Sequence, residues 1–122
     1  MIELYTWSTP NGRKISIMLE EIGLKYNVIP INIMKNEQFN DDFLKISPNN
    51  KIPAIIDKEN NIELMESGVI LLYLSKKFSK FLPIDEKYYW KELEWLMFQK
   101  ASLGPMLGQA HHFLKFNKGK SP

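Results

Sequence analysis

The order of hydrophobic patterns along the chain constrains its fold more than any other feature of the sequence. Residues Ile2 to Trp7 alternate in polarity and are rich in β-forming side chains, which predicts a first strand. Apolar residues then recur at helical spacing from Ile15 to Ile22, with Thr9 as a candidate cap and Gly23 as a stop signal. A second apolar run, Val28 to Ile33, predicts another strand. A strand, a helix and a strand within about thirty residues indicate a right-handed parallel crossover.

The next segment adds a short helix, a hairpin and a longer helix. Asp41 to Ile46 is predicted to form the short helix. Ala54 to Ile56 and Ile62 to Met65 are predicted strands, and the turn-forming residues between them favour an antiparallel hairpin. Ser67 then opens a helix that runs to about Lys80. The order βαβ-α-ββα predicts an α/β sandwich with a mixed four-stranded sheet, and Pro30 indicates that the second strand lies at an edge. This order suits the thioredoxin-like fold without being unique to it.

The composition excludes several classes of function. The chain has 122 residues, of which 44% are hydrophobic and 25% charged, values typical of a globular domain with a real core. It contains no cysteine, which excludes a disulfide scaffold, a zinc–thiolate site and a nucleophile made from a protein thiol. The net charge is only +2 and Arg13 is the only arginine, which argues against a nucleic-acid partner.

The sequence also bears on where the protein works. Its N-terminal residues lack the basic and apolar regions of a secretory signal. The longest apolar run, Val69 to Leu74, is far shorter than a membrane span. We therefore expect a cytoplasmic protein that acts without a membrane.

Two predicted helices carry more apolar surface than one sheet can cover. The helix that starts at Ser67 has apolar residues on nearly all of its faces. A further helix is predicted from Asp85 to Leu103, where Gly104-Pro105 would break it. Three of its aromatic side chains lie outside its apolar stripe: Trp90, Trp95 and Phe98. These residues form either a thick core or an interface with another subunit or a further domain.

The segment Thr9-Pro10-Asn11-Gly12 is the first that could carry chemistry. It follows a strand and opens a helix, whose first N–H groups and partial positive charge favour an anion such as a thiolate. Thr9 and Asn11 add side-chain donors. Simple helix capping explains the same residues without a ligand.

Two further segments are candidate parts of a binding site. In Asn49 to Pro53, the X-Pro bond forms either an ordinary trans turn or a cis bond that exposes the backbone of Ile52 to an extended ligand. In Glu66-Ser67-Gly68, Ser67 can cap a helix and face a carboxylate while Glu66 holds an ammonium group. Together these two would bind an α-amino acid; the alternative is a capped helix with a solvated glutamate.

His111-His112 is the remaining candidate, because neighbouring histidines in a loop can bind a metal. The sequence has no cysteine and no other histidine to complete such a site. A structural or exposed role is favoured, and no metal site is predicted.

Specific segments of the chain carry a resemblance to a known family. They occur in one order and spacing: Thr9-Pro10-Asn11-Gly12-Arg13-Lys14, Ser47-Pro48-Asn49-Asn50-Lys51-Ile52-Pro53-Ala54-Ile55 and Glu66-Ser67-Gly68-Val69-Ile70-Leu71-Leu72-Tyr73-Leu74. The chain resembles the N-terminal, thioredoxin-like, glutathione-binding domain of a glutathione S-transferase. More narrowly, it resembles the nu-class, YfcG-like disulfide-bond reductases and the related Ure2-like proteins. Leu103 to Gln109 and His111-His112-Phe113 also resemble that group.

The resemblance implies a glutathione site and a second domain. Ile52, before a cis Pro53, would pair its backbone with the cysteinyl part of glutathione. Glu66 and Ser67 would bind the γ-glutamyl ammonium and carboxylate, and Lys51 and Gln38 would lie near the glycyl carboxylate. The resemblance also implies a glutathione-binding domain over residues 1–82. Residues 83–122 would be the start of an incomplete all-helical domain, and the protein would form a homodimer.

The resemblance further implies the chemistry. Thr9 and Asn11 would face the sulfur in place of the tyrosine, serine or cysteine that many transferases use there. A thiol is mostly protonated at neutral pH, and helix N–H groups with added donors lower its pKa. A glutathione thiolate would then reduce a small disulfide, with no metal and no protein cysteine. The alternatives are a transferase that conjugates glutathione to electrophilic substrates, and a non-catalytic glutathione-binding or regulatory module or truncated remnant.

Overall fold

A computed structural model describes residues 1–116 of the chain. Four strands form one sheet in the order β2-β1-β3-β4. Their bounds are Ile2–Thr6 for β1, Tyr26–Pro30 for β2, Ala54–Asp57 for β3 and Ile62–Met65 for β4. The helices of this part are α1 (Pro10–Ile22), α2 (Asp41–Ile46) and α3 (Ser67–Phe78). The predicted mixed four-stranded sheet and the order βαβ-α-ββα are confirmed, and this arrangement is the thioredoxin-like fold.

Helix α1 begins and ends at the predicted signals. The Thr9 side chain accepts a hydrogen bond from the Gly12 N–H, and Pro10 occupies the first turn, where a backbone donor is not needed. Gly23 ends the helix in the left-handed region, at φ 83°. Local sequence therefore fixes both ends of this element.

The second strand is shorter than predicted. It pairs in parallel with β1 and lies at the sheet edge, as Pro30 indicated. The prediction that it continues to Ile33 is wrong. The Ile31 N–H still donates to the Thr6 carbonyl at 2.9 Å, but Ile33 belongs to a 3₁₀ turn that Asn32 caps. Because β1 ends at Thr6, no partner strand remains for the chain after Ile31.

The two faces of the sheet bury different apolar clusters. Successive residues of a strand face opposite ways, so Leu4 and Ile55 enter one cluster while Tyr5 and Ala54 enter the other. The larger cluster packs α1 and α3 on the sheet: Ile2, Leu4, Ile15, Met18, Leu19, Ile55, Ile70 and Leu74. The smaller one packs Phe43 of α2 and Ile31 against Ala54. Leu4, Ile55, Ile70 and Leu74 are fully buried, so this core is real.

A second compact unit begins at Leu82, and the first unit covers Met1–Phe81. Its described helices are α4 (Glu86–Phe98), which Asp85 caps, and α5 (Gly104–His111). Between Leu82 and Lys115 no residue is buried. The prediction that this part begins an incomplete all-helical domain, residues 83–122, stays a prediction and extends past the described residues.

The predicted break at Gly104-Pro105 is wrong. The chain stays helical through a π-helical segment, Gln99–Leu103, and then through α5. Proline cannot donate to the carbonyl one turn back, and the wider π turn before it accommodates that loss. His111 and His112 lie in helical structure, not in the predicted loop, since α5 runs into a second π-helical segment, His112–Phe116. In the part of the chain described, no helix is long and apolar enough to span a bilayer.

Candidate functional site

The sheet register brings the candidate segments to one edge of the sheet. Tyr5 of β1 pairs with Ala54 of β3, and Ala54 pairs in turn with Met65 of β4. We call this end of the strands the site edge. The segments that meet it are the β1–α1 connection with Thr9, the Ile52-Pro53 pair before β3, and Glu66-Ser67 after β4. The helices that follow β1 and β4 both begin here, so their partial positive charges reinforce each other.

The first turn of α1 carries groups of the kind that favour an anion. Thr9 Oγ1 accepts from the Gly12 N–H at 3.1 Å, which leaves the hydroxyl hydrogen to rotate toward a ligand. The Asn11 amide oxygen accepts from Lys14 Nζ at 2.9 Å, which leaves the NH₂ group as the donor end of that side chain. The first turn holds no acidic residue. This arrangement stabilises a negative charge in front of the helix.

Gly12 allows this turn to lie against the end of β1. A Cβ atom at Gly12 would collide with Thr6 Oγ1 and with the Trp7 carbonyl oxygen. The Trp7 carbonyl also accepts from the Thr9 N–H at 2.7 Å, so it cannot move without loosening the cap. The sequence motifs gave Gly12 no role of its own. The signal for it was a glycine inside a helix turn, where propensity alone disfavours it.

The chain before β3 is a hydrogen-bonded turn around Ser47. The Ser47 carbonyl accepts from the Asn50 N–H at 2.9 Å, and Asn50 takes the left-handed region at φ 49°. Ser47 Oγ donates to the Lys51 carbonyl at 2.7 Å and accepts from the Lys51 N–H at 3.3 Å. The Ile52–Pro53 bond is cis. Lys51 is exposed, Ile52 half-buried and Pro53 buried, so the lysine side chain points toward solvent from a fixed backbone.

The start of α3 differs from the predicted cap. Glu66, not Ser67, occupies the cap position, and its side chain makes no capping hydrogen bond. Glu66 has φ 71°, a conformation that non-glycine residues rarely adopt and that is common at functional sites. This turn starts the helix directly after β4, so Ser67 is the first helical residue. Ser67 is buried and Glu66 is exposed.

Gln38 is the one predicted site residue that the sheet register does not place. It lies in a 3₁₀ turn, Glu37–Phe39, between β2 and α2. Its amide oxygen is buried and has no hydrogen-bond partner among the described residues. Among those residues no group of three or more histidine, aspartate or glutamate side chains could hold a metal.

A buried ion pair that no predicted motif indicated lies at the opposite end of β3. Asp57 Oδ2 accepts from Lys77 Nζ and from the Tyr73 hydroxyl, and Oδ1 accepts from the Glu59 N–H at 3.0 Å. Burial acts to raise the pKa of the Asp57 carboxyl, but the hydrogen bonds from Lys77 and Tyr73 outweigh it and hold that pKa below its usual value. The hydrogen bond to Asp57 raises the pKa of the Lys77 ammonium. The signal was Tyr73 and Lys77, one helical turn apart, after an apolar strand that ends in aspartate.

Comparisons with known proteins give the family. Residues 1–76 match the family model "Glutathione S-transferase, N-terminal domain". The disulfide-bond oxidoreductase YfcG of Escherichia coli (strain K12) is 49% identical over 118 residues, which are 93% of this chain and 55% of that protein.

Solved structures agree in fold. A glutathione transferase family member from Pseudomonas fluorescens pf-5, with two glutathione bound, superposes with a TM-score of 0.93 and 44% identity over 98% of this chain and 55% of that chain. A glutathione transferase from Pseudomonas putida, with one glutathione disulfide bound per subunit, superposes with a TM-score of 0.91 and 43% identity. This match covers 99% of this chain and 54% of that chain. The chain thus spans about half the length of these relatives.

Proposed function

Since this chain belongs to the glutathione S-transferase family, we propose that it binds glutathione at the site edge. We propose further that it acts as a glutathione-dependent thiol–disulfide oxidoreductase. The relative YfcG, a disulfide-bond oxidoreductase that is 49% identical, supports thiol–disulfide exchange as the reaction. The glutathione and glutathione disulfide in the two Pseudomonas structures support the ligand. Because the chain spans about half of these relatives, the activity of the whole protein is part of the proposal.

We propose that the segments of the site edge divide the ligand among them. The Ile52 backbone pairs with the cysteinyl part, and Glu66 and Ser67 bind the γ-glutamyl ammonium and carboxylate. Lys51 and Gln38 lie near the glycyl carboxylate. The buried start of α3 suits the carboxylate, because helix N–H groups favour an anion there. Glu66 supplies an exposed negative charge for the ammonium.

The chemistry follows from the first turn of α1. The Thr9 hydroxyl, the Asn11 amide and the helix N-terminus lower the pKa of the bound thiol, so that more of it is thiolate at neutral pH. The thiolate attacks one sulfur of a disulfide and forms a mixed disulfide, and the other sulfur leaves as a thiolate that takes up a proton. A second glutathione thiolate attacks the mixed disulfide at the glutathione sulfur. The products are glutathione disulfide and the reduced substrate.

One observation carries this proposal. A helix N-terminus stands in a chain that has no cysteine of its own; its first turn has no acidic residue, and the Thr9 and Asn11 oxygens accept hydrogen bonds that leave the donor groups of both side chains for a ligand. A site that stabilises a thiolate therefore needs a thiol from its ligand. Small disulfide or electrophilic substrates, homodimer formation and a cytoplasmic location remain predictions.

The test is the double variant Thr9→Ala/Asn11→Ala, with glutathione-dependent reduction of a small mixed disulfide as the measurement. The rate should fall by about tenfold or more, because the thiolate loses two donors. Thr9→Ser is the matched variant, since it keeps both the cap and the hydroxyl, and it should stay within about twofold of the parent.

A second control separates chemistry from helix capping. Asp85→Ala removes the cap of α4, where Asp85 Oδ1 accepts from the Lys87 N–H at 3.0 Å, and should leave the rate unchanged. Parent-like reduction by Thr9→Ala/Asn11→Ala would remove both residues from the mechanism. Fast conjugation to a chlorinated aromatic by the parent would favour the transferase alternative, and glutathione binding without turnover would favour a regulatory module.

A further inference from the structure

We infer that Ser47 is a positioning residue of the glutathione site and that its hydroxyl sets the selectivity for a tripeptide thiol over a dipeptide thiol. This inference rests on the proposed function. Ser47 belongs to the turn before β3, is 0% exposed, and gives its only hydroxyl hydrogen to the Lys51 carbonyl. Its effect must pass through the residues that it holds.

The hydroxyl of Ser47 satisfies both backbone groups of one residue. Oγ donates to the Lys51 carbonyl at 2.7 Å and accepts from the Lys51 N–H at 3.3 Å. A serine hydroxyl has one donor and two acceptor positions, so a single atom can hold both groups. Lys51 is thereby fixed from the interior while its ammonium group remains on the surface.

The atom that holds Lys51 is itself fixed. The Ser47 N–H donates to the Phe43 carbonyl at 2.9 Å, and Phe43 is 3% exposed in the smaller core cluster. Ile52 packs against the same cluster, and Ala54 is paired in the sheet. Ser47 therefore connects the core to the stretch of backbone that offers Ile52 to the cysteinyl part and Lys51 to the glycyl carboxylate.

This geometry predicts which ligand loses more binding affinity when the Ser47 hydroxyl is removed. Without Oγ, the Lys51 N–H and carbonyl would hydrogen-bond to water, and the backbone that positions the lysine side chain would be less rigid. The glycyl carboxylate of glutathione would contact Lys51, whereas γ-glutamylcysteine has no glycine and therefore no such carboxylate. The loss should therefore weaken glutathione more than γ-glutamylcysteine.

The experiment is calorimetric titration of the full chain and of Ser47→Ala with both thiols. We expect the Kd of Ser47→Ala for glutathione to rise by about fivefold or more, with a smaller rise for γ-glutamylcysteine. In the Lys51→Ala background, Ser47→Ala should weaken glutathione clearly less. Ser75→Ala is the matched control, because it removes the hydroxyl of another buried serine, in α3, and should change neither Kd by more than about twofold.

Hydrogen exchange on the unmutated chain tests the inference even where Ser47→Ala does not fold. The Lys51 amide should be protected before glutathione is added, and the Ile52 amide should gain protection on binding. An unprotected Lys51 amide, or a folded Ser47→Ala with parent-like affinity for both thiols, would overturn the role of Ser47 alone. A parent chain that binds no glutathione would overturn the proposed function as well.

Discussion

Asp57 is a buried carboxylate, and its stability in the interior depends on its hydrogen-bond and ion-pair partners. It is 0% exposed and accepts from Lys77, Tyr73 and the Glu59 N–H, so its lone pairs meet donors on both oxygens. Lys77 is itself largely covered, with 17% of its side chain exposed. Since Tyr73 and Lys77 belong to α3, these contacts hold that helix against β3.

Replacing Asp57 by asparagine should destabilise the first unit. Asp57→Asn keeps the shape and two acceptor positions but leaves the Lys77 ammonium with only the exposed Glu59 carboxylate, at 3.8 Å, as a counter-charge, which should cost about 2–4 kcal/mol in the free energy of unfolding. Chemical denaturation at neutral pH measures this. Asp42→Asn is the control, because its ion pair with Lys45 at 3.5 Å is exposed, and it should change stability by less than about 0.5 kcal/mol. Equal losses in the two variants would contradict the assigned role of Asp57.

The same pair predicts a pH dependence at both ends of the scale. The pKa of Asp57 is lowered in the folded state, so its contribution is present above the unfolded pKa, about 3.9, and is lost as the pH falls through the folded value. The pKa of Lys77 is raised, so its contribution is present below about 10.4 and is lost as the pH rises through the folded value. Asp57→Asn should therefore flatten the stability profile below about pH 4 relative to the parent. Parallel acid profiles for the two chains would show that other carboxylates carry the effect.

At the scale of the element, the first turn of α1 shows how a helix is placed with its end at a site. Its amphipathic face buries Ile15, Met18 and Leu19, and these contacts fix the axis of the helix on the sheet. The close approach of Gly12 to Thr6 and Trp7 then fixes how far the helix advances toward the site edge. Capping alone would not set that distance.

Replacing Gly12 by alanine should therefore destabilise the protein, although the same replacement inside a helix usually stabilises it. Glycine to alanine inside a helix ordinarily stabilises by up to about 1 kcal/mol, but Gly12→Ala places Cβ against Thr6 and the Trp7 carbonyl and should cost about 1–3 kcal/mol. Thermal unfolding by circular dichroism measures the change. Gly108→Ala in α5 is the matched control, since nothing lies within 4 Å of its added Cβ, and it should be neutral or stabilising. A stabilised Gly12→Ala would show that the turn has room to move.

At the scale of the whole molecule, the two units differ in what holds them together. The first unit buries a contiguous apolar cluster on each face of its sheet. The second unit, described as far as Phe116, has no buried residue up to Lys115 and exposes Trp90, Trp95 and Phe98 by 59%, 65% and 47%. The aromatic side chains that the sequence placed outside the apolar stripe of α4 thus remain exposed. The stability of the chain resides mainly in the first unit.

Matched truncations in the two units test this difference. Ile70→Ala removes a side chain that is 0% exposed and should lower the free energy of unfolding by about 2–5 kcal/mol. Trp95→Ala removes a larger side chain that is 65% exposed and should change it by less than about 1 kcal/mol. Urea denaturation followed by circular dichroism, at two protein concentrations, compares them. A large, concentration-dependent loss for Trp95→Ala would instead place that residue in an interface between subunits.

Part of the candidate site could be read from sequence because its determinants are local. A cap at Thr9, proline at the first turn and a stop at Gly23 act within a few residues, and the structure has all three. Ser67 was wrongly predicted to be the cap, because the positive φ of Glu66 that starts α3 leaves no mark in residue type. Gly104-Pro105 was wrongly read as a break, because a π-helical turn absorbs the proline.

The order of elements, the family and the residues proposed for the site could all be read from the sequence, since periodicity and short motifs are properties of neighbouring residues. Tertiary structure alone decided that Thr9, Pro53 and Glu66 belong to one edge of a sheet, because strand register joins residues distant in the chain. The contacts of Gly12 and Ser47 join residues only four to six positions apart, but no sequence motif indicates them. The buried charge of Asp57 exists only once α3 has packed on β3, because Lys77 lies 20 residues further along the chain.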